Sequence, residues 1–158
     1  MIALADAVLK RARDARLMIA TAESCTGGLI AALLTEIPGS SDVVERGFVT
    51  YSNRAKTEML GVAPALLDSH GAVSAEAAAA MAQGALAHSH AQLAVAVTGI
   101  AGPGGGSADK PVGLVYIAGQ RAGAQAVIQR HLFTGDRQKV RLATVATALA
   151  LLDDLIAA

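Results

Sequence analysis

Two short apolar runs, LMIATA (17–22) and QLAVAVTG (92–99), each break directly into a turn of small and polar residues, ESCTGG (23–28) and GIAGPGGG (99–106). An unbroken apolar run of this length, bounded by turn residues, reads as a strand buried on both faces. Such a strand requires helices packed on both sides of its sheet. The intervening segments supply them. Leu4, Val8, Leu9 and Ala12 recur at helical spacing, so residues 2–15 are predicted to form an amphipathic helix. LIAALLTEI (29–37) continues as a helix until Pro38-Gly39-Ser40-Ser41 stops it.

VVERGFVTYS (43–52) is β-branched and aromatic and predicts a strand. Ser52 or Asn53 can cap a short helix reaching about Leu60, and residues 61–73 read as irregular connection. Ser74 caps an Ala-rich helix to about His88. Residues 99–111 form a loop, and GLVYIAG (113–119) and QAVIQRHLF (125–133) form a strand pair turning near Gly123. A last helix follows Gly135-Asp136 and runs through Leu155. With no internal repeat and no long linker, residues 1–158 are expected to form one α/β domain with a mixed sheet.

Charge excludes some partners. Lys plus Arg total 13 and Asp plus Glu total 13, so no net field recruits nucleic acid or an anionic membrane. The single cysteine, Cys25, rules out an internal disulfide and fits a reducing compartment. The N-terminal segment lacks the order of a signal peptide, and no apolar run reaches the ~20 residues of a membrane span. The expectation is a cytoplasmic protein. The four histidines, 70, 88, 90 and 131, show no metal-ligand spacing, so neither a metal nor a cofactor is expected.

Four segments have the residue types for chemistry. In TAESCTGG (21–28), Ser24 and Cys25 sit where a strand turns into a helix, close to backbone N–H groups able to hold an oxyanion. Gly27 and Gly28 allow a ligand to approach the backbone there. The competing local reading makes Ser24 or Thr26 a helix cap and Cys25 a buried apolar residue. In TYSNRAK (50–56), Lys56 is a candidate base and Tyr51 a candidate relay, against a solvated lysine and an edge aromatic. Spacing alone does not pair Lys56 with Ser24.

TGIAGPGGGSADKPVG (98–113) holds five glycines from Gly99 to Gly106 after a buried strand, a place for phosphate or carboxylate oxygens. It is neither a P-loop nor a dinucleotide fingerprint, and it reads equally as a flexible connection. In FTGDRQKVR (133–141), Arg137 and Arg141 share a helix face and are able to hold a phosphate, or to form a surface ion-pair face with Asp136.

Taken together, TAESCTGG, IPGSSDVVERGFVTYSNRAK, HGAVS, TGIAGPGGG, KPVGLVYIA and FTGDRQKVR resemble the CinA C-terminal domain family, across about residues 20–141. The chain resembles the short members, which lack the extra N-terminal domain of the larger ones. The resemblance implies a three-layer α/β/α fold, a homodimer, and hydrolysis of nicotinamide mononucleotide to nicotinate mononucleotide and ammonia without a metal. It places the catalytic serine on Ser24 and its lysine and tyrosine on Lys56 and Tyr51. Substrate contacts are expected from Thr26, Gly27, Gly28, Thr98, Gly99, Gly102, Gly104, Gly105, Arg137 and Arg141. Two other readings stay open: a cysteine amidase using Cys25 with Lys56 and Glu23, and a non-catalytic nucleotide-binding module.

Overall fold

Leu93, Ala94, Val95, Ala96 and Val97 are all buried and alternate large with small along one strand. Successive side chains on a strand face opposite ways, so this alternation gives the sheet two unlike faces. One carries Ile19, Leu93, Val95, Val97, Val115 and Ile117. The other carries Ala20, Ala22, Ala94, Ala96 and Ala118, which lets an Ala-rich helix lie close against the sheet. That is how a chain with 3% aromatic residues fills its core.

The computed structural model describes residues 1–157; residue 158, the last of the expected domain span, lies outside the described residues. The element order is α1 (Ile2–Asp14), β1 (Ile19–Glu23), α2 (Leu29–Thr35), β2 (Val44–Val49), α3 (Asn53–Leu60), α4 (Pro64–His70), α5 (Ala75–Ala87), β3 (Leu93–Gly99), β4 (Leu114–Arg121), β5 (Val127–Leu132) and α6 (Arg137–Ala157). A 3-10 turn, Ser40–Asp42, precedes β2. The strands form one sheet in the order β2-β1-β3-β4-β5. β1 pairs in parallel with β2 and β3, while β3–β4 and β4–β5 are antiparallel, so the sheet is mixed as the sequence predicts. Residues of α1, α2 and α6 cover the large-residue face, and α3, α4 and α5 cover the alanine face.

Ser52 and Ser74 cap α3 and α5 through hydrogen bonds from Ala55 and Ala77, as expected. One expectation fails. Residues 61–73 are not all irregular, because Pro64 opens the seven-residue helix α4. Proline at the first turn loses no hydrogen bond and presets φ, and Leu67 then buries against the alanine-face core.

Gly84 lies where α5 meets the end of α3. A Cβ there would stand 2.1 Å from the Leu60 carbonyl oxygen, a backbone atom that cannot swing aside. Gly84→Ala is expected to destabilise the fold by about 1–3 kcal/mol, against alanine's better helix propensity. A denaturant midpoint at or above wild type would contradict this contact.

Candidate active site

The parallel strands β1 and β3 end side by side, and open α/β sheets bind ligands beyond such carboxyl ends. The Ser24 N–H donates to the Val97 carbonyl at 3.0 Å, and the Thr50 N–H to the Glu23 carbonyl at 2.8 Å. These bonds tie the turn after β1 to β3 on one side and to the end of β2 on the other. A cavity of about 290 Å³ opens there, lined by Ser24, Cys25, Tyr51, Asn53, Lys56, Ala72, Val73, residues 98–102, Gly104, Gly105 and Arg137.

Strand alternation sorts the residues of the turn. Ile19 and Cys25 belong to the core on the large-residue face, and Ala20 and Ala22 to the alanine face. Glu23 follows the first set and turns to α2. Ser24 follows the second and meets Lys56 from α3. On α3, Lys56 and Leu60 are its two buried residues, one turn apart on the inward face. An apolar helix stripe therefore delivers an amine into the protein.

Lys56 is 1% exposed and Ser24 9%. The Lys56 Nζ lies 3.0 Å from Ser24 Oγ and 2.8 Å from the Thr50 carbonyl oxygen. Burial pushes the Lys56 amine below the ordinary lysine range, opposed by the nearby Cys25 thiol. No carboxylate pairs with Lys56 among the described residues. The buried carboxylate closest in sequence to Ser24, that of Glu23, is occupied elsewhere. It accepts from Thr26 Oγ1 at 2.6 Å, from the N–H groups of Gly28, Ile30 and Ala31 at 3.1, 3.0 and 2.9 Å, and from Thr21 Oγ1 at 3.4 Å.

That arrangement revises the expectations for the turn. Neither Ser24 nor Thr26 caps α2; the Glu23 carboxylate satisfies its first-turn N–H groups instead. The N–H groups of Gly27 and Gly28 are taken, by the Ser24 carbonyl and by Glu23. The Cys25 amide donates to no other described residue, and Cys25 lines the cavity, so this amide is the one available to an anion; Thr26 is fully buried and does not line the cavity. Cys25 has only 6% exposure, and burial, with the Glu23 charge adding, raises its thiol to about 11.

Tyr51 is not interposed between Ser24 and Lys56. It is 59% exposed, and its hydroxyl accepts from Arg137 Nη2 at 3.0 Å. Arg137 Nη1 also donates to the Gly102 carbonyl at 3.0 Å, so this pair spans the cavity mouth from β2 to the glycine loop. Thr98 lines the cavity, but its hydroxyl donates to the Ala72 carbonyl at 2.7 Å, holding the far wall. Gly99 admits no side chain, since a Cβ would sit 2.8 Å from the Leu114 carbonyl oxygen. Gly104 and Gly105 are cavity wall with open space or only ordinary contact around them. Arg141 does not reach this cavity. Its Nη2 donates to the Thr26 carbonyl at 2.8 Å, and it lines a neighbouring groove.

Sequence reasoning missed the cavity-lining side chain of Asn53 and the role of Glu23 as a clamp. The alternation along IATAESC was the available signal, because it separates Glu23 and Cys25 from Ser24. No helix among the described residues is long and apolar enough to cross a membrane. Among those residues, no group of His, Cys, Asp and Glu gathers to hold a metal ion.

The molecule is thus a mixed-sheet α/β sandwich with a buried serine–lysine pair at the carboxyl ends of its parallel strands. The chain belongs to the CinA C-terminal domain family, whose model matches residues 1–156. It is 51% identical over 131 residues to the nicotinamide-nucleotide amidohydrolase PncC of Escherichia coli K12, covering 83% of this chain and 79% of that protein. It is 55% identical over 137 residues to a CinA-like protein of Geobacter sp. M21, covering 87% of this chain and 33% of the relative. A CinA-like protein of Akkermansia muciniphila is 50% identical over 147 residues, 93% of this chain and 36% of the relative. The chain spans only about a third of the length of these CinA-like relatives. The competence/damage inducible protein CihA of Agrobacterium tumefaciens superposes with a TM-score of 0.96 at 54% identity, covering 98% and 94% of the two chains. A CinA superfamily protein of Klebsiella pneumoniae gives 0.94 at 36% identity, covering 99% and 97%.

Proposed function

We propose that this chain is an amidohydrolase that converts nicotinamide mononucleotide and water to nicotinate mononucleotide and ammonia, with Ser24 as nucleophile and Lys56 as general base. The observation that carries the reading is the 3.0 Å contact between Lys56 Nζ and Ser24 Oγ in a buried setting that disfavours the ammonium form. A serine hydroxyl is a weak nucleophile until a base accepts its proton. A neutral lysine donating to the Thr50 carbonyl keeps its lone pair for that proton. The likeness to the Escherichia coli nicotinamide-nucleotide amidohydrolase supplies the substrate.

In this reading Lys56 takes the Ser24 proton as Oγ bonds to the carboxamide carbon. The cationic pyridinium ring draws electrons from that carbon and favours attack. The Cys25 amide holds the oxyanion. The C–N bond then breaks, and Lys56 returns its proton to the departing nitrogen, which leaves as ammonia. Water attacks the resulting ester as Lys56 takes its proton; Lys56 then passes that proton to Ser24 Oγ as the C–O bond breaks, and the acid product loses its own proton to solvent and leaves as the carboxylate. Arg137, braced by Tyr51 and Gly102, is the cavity's guanidinium for the 5′-phosphate. Tyr51 acts through Arg137 in this scheme and relays no proton. Residues 1–158 are read as one catalytic domain, placed in the cytoplasm and acting as a homodimer.

The test is ammonia release by the purified protein from nicotinamide mononucleotide, compared with nicotinamide riboside. Turnover of the nucleotide well above the riboside is expected. Tight nucleotide binding with no ammonia at high enzyme concentration would replace this reading with a binding module.

A further inference from the structure

Glu23 is fully buried, touches neither Ser24 Oγ nor Lys56 Nζ, and has no place in the steps above. Yet its carboxylate accepts from five donors on three pieces of local structure: Thr21 of β1, Thr26 and Gly28 of the turn, and the first turn of α2 at Ile30 and Ala31. An ordinary helix cap contacts one or two N–H groups. This one reaches back from the strand residue that precedes the nucleophile and grips both ends of the turn that follows it.

Two consequences follow from where these bonds go. The carboxylate takes the first-turn amides of α2, so that helix end offers no donor to a substrate anion. The short bond from Thr26 Oγ1 fixes the residue that follows Cys25, whose amide is left free at the cavity. Arg141 holds the same residue from outside through the Thr26 carbonyl at 2.8 Å. With hydroxyl and carbonyl of Thr26 both pinned, the Cys25–Thr26 segment that carries the Cys25 N–H is held before any substrate arrives. Donors fixed in advance are what lower the barrier to an oxyanion, since they need not reorganise as charge develops.

We propose that Glu23 is a positioning residue for the amide hydrolysis, aiming the Cys25 amide at the oxyanion through its hydrogen bond with the next residue, Thr26. The inference rests on the amidohydrolase reading above. It assigns Glu23 no proton transfer, so it predicts a change in turnover number without a change in the pH at which activity rises.

The experiment uses the full chain and nicotinamide mononucleotide, with ammonia release as readout, on Thr26→Val, Thr26→Ser and Glu23→Gln. Thr26→Val keeps the side-chain shape and removes the hydroxyl donor. It is expected to lower kcat by about 10- to 100-fold, the scale of a misplaced catalytic group, with KM and the pH profile unchanged. Thr26→Ser retains the donor and is expected to restore kcat to near wild type. Glu23→Gln, which turns one acceptor oxygen into a donor, is expected to show the same loss or a larger one. If Glu23→Gln does not fold, the two Thr26 variants decide the question alone. A folded Thr26→Val with wild-type kcat overturns the inference, as does a loss that appears in KM instead. Wild-type protein that releases no ammonia overturns the amidohydrolase reading itself, which separates the two failures.

Discussion

Replacing Ser24 by alanine is expected to lower ammonia release from nicotinamide mononucleotide by at least about 10³-fold, while Cys25→Ala keeps most of it. The two residues are neighbours, and a serine–cysteine pair at the start of a helix invites the thiol as nucleophile. The geometry argues otherwise. Lys56 Nζ stands 3.0 Å from Ser24 Oγ, whereas Cys25 belongs to the core on the opposite face of the sheet. Burial raises the Cys25 thiol to about 11, so its thiolate is scarce at neutral pH. The Glu23 carboxylate that a Glu-Lys-Cys arrangement would need is bonded to α2 and Thr26. The assay is steady-state ammonia release at saturating substrate, with thermal unfolding as the control for folding. Ser24→Ala at wild-type activity, with Cys25→Ala inactive, would move the nucleophile to the thiol.

Lys56→Met is expected to lose at least about 10²-fold in kcat, the scale of a general base, and yet to unfold at a higher temperature than wild type. Lys56→Arg is expected to be as inactive, because a guanidinium does not give up its proton. The gain in stability follows from the direction of the pKa shift. Burial lowers the Lys56 amine, so between its folded value and the ordinary lysine value the unfolded chain binds more protons than the folded one. Stability then rises with pH through that window. Below it, both states are protonated and the fold bears the full cost of burying an ammonium. Methionine removes that cost, so its advantage is greatest at pH below the lowered Lys56 value and shrinks as pH rises toward the ordinary lysine value. Wild-type turnover rises with pH through the lowered Lys56 value. Two measurements check the account: thermal midpoints of both proteins across pH, and the pH–rate profile of wild type. A Lys56→Met protein less stable than wild type at neutral pH would show that Lys56 is paired and stabilising rather than stranded for catalysis.

Much of the architecture was legible in the chain because it rests on local rules. Apolar runs, serine caps and Gly-Pro punctuation placed every strand and all the helices but one. The exception, α4, is only seven residues long, too short for a helical repeat to stand out against the turn signals around it. The site was legible as residue types in order, and family resemblance joined them. Its internal wiring was not. Arg141 shares a helix face with Arg137, yet packs onto Thr26 because α6 crosses behind the nucleophile turn. Tyr51 precedes Lys56 by five residues, but the entry into α3 sends its ring outward to Arg137.

The sequence by itself determined the alternation of faces along β1, since period-two geometry belongs to the strand and not to its surroundings. That alternation already puts Ser24 on the side opposite Cys25 and Glu23. Only the tertiary structure decided that α3 lies on the Ser24 side, and that its inward stripe carries an amine where a leucine would otherwise go. It also decided that Glu23 is consumed by α2, which leaves Lys56 without a carboxylate to hold its proton. Desolvation and pairing depend on what packs within a few ångströms from distant parts of the chain. No spacing in a sequence reports them.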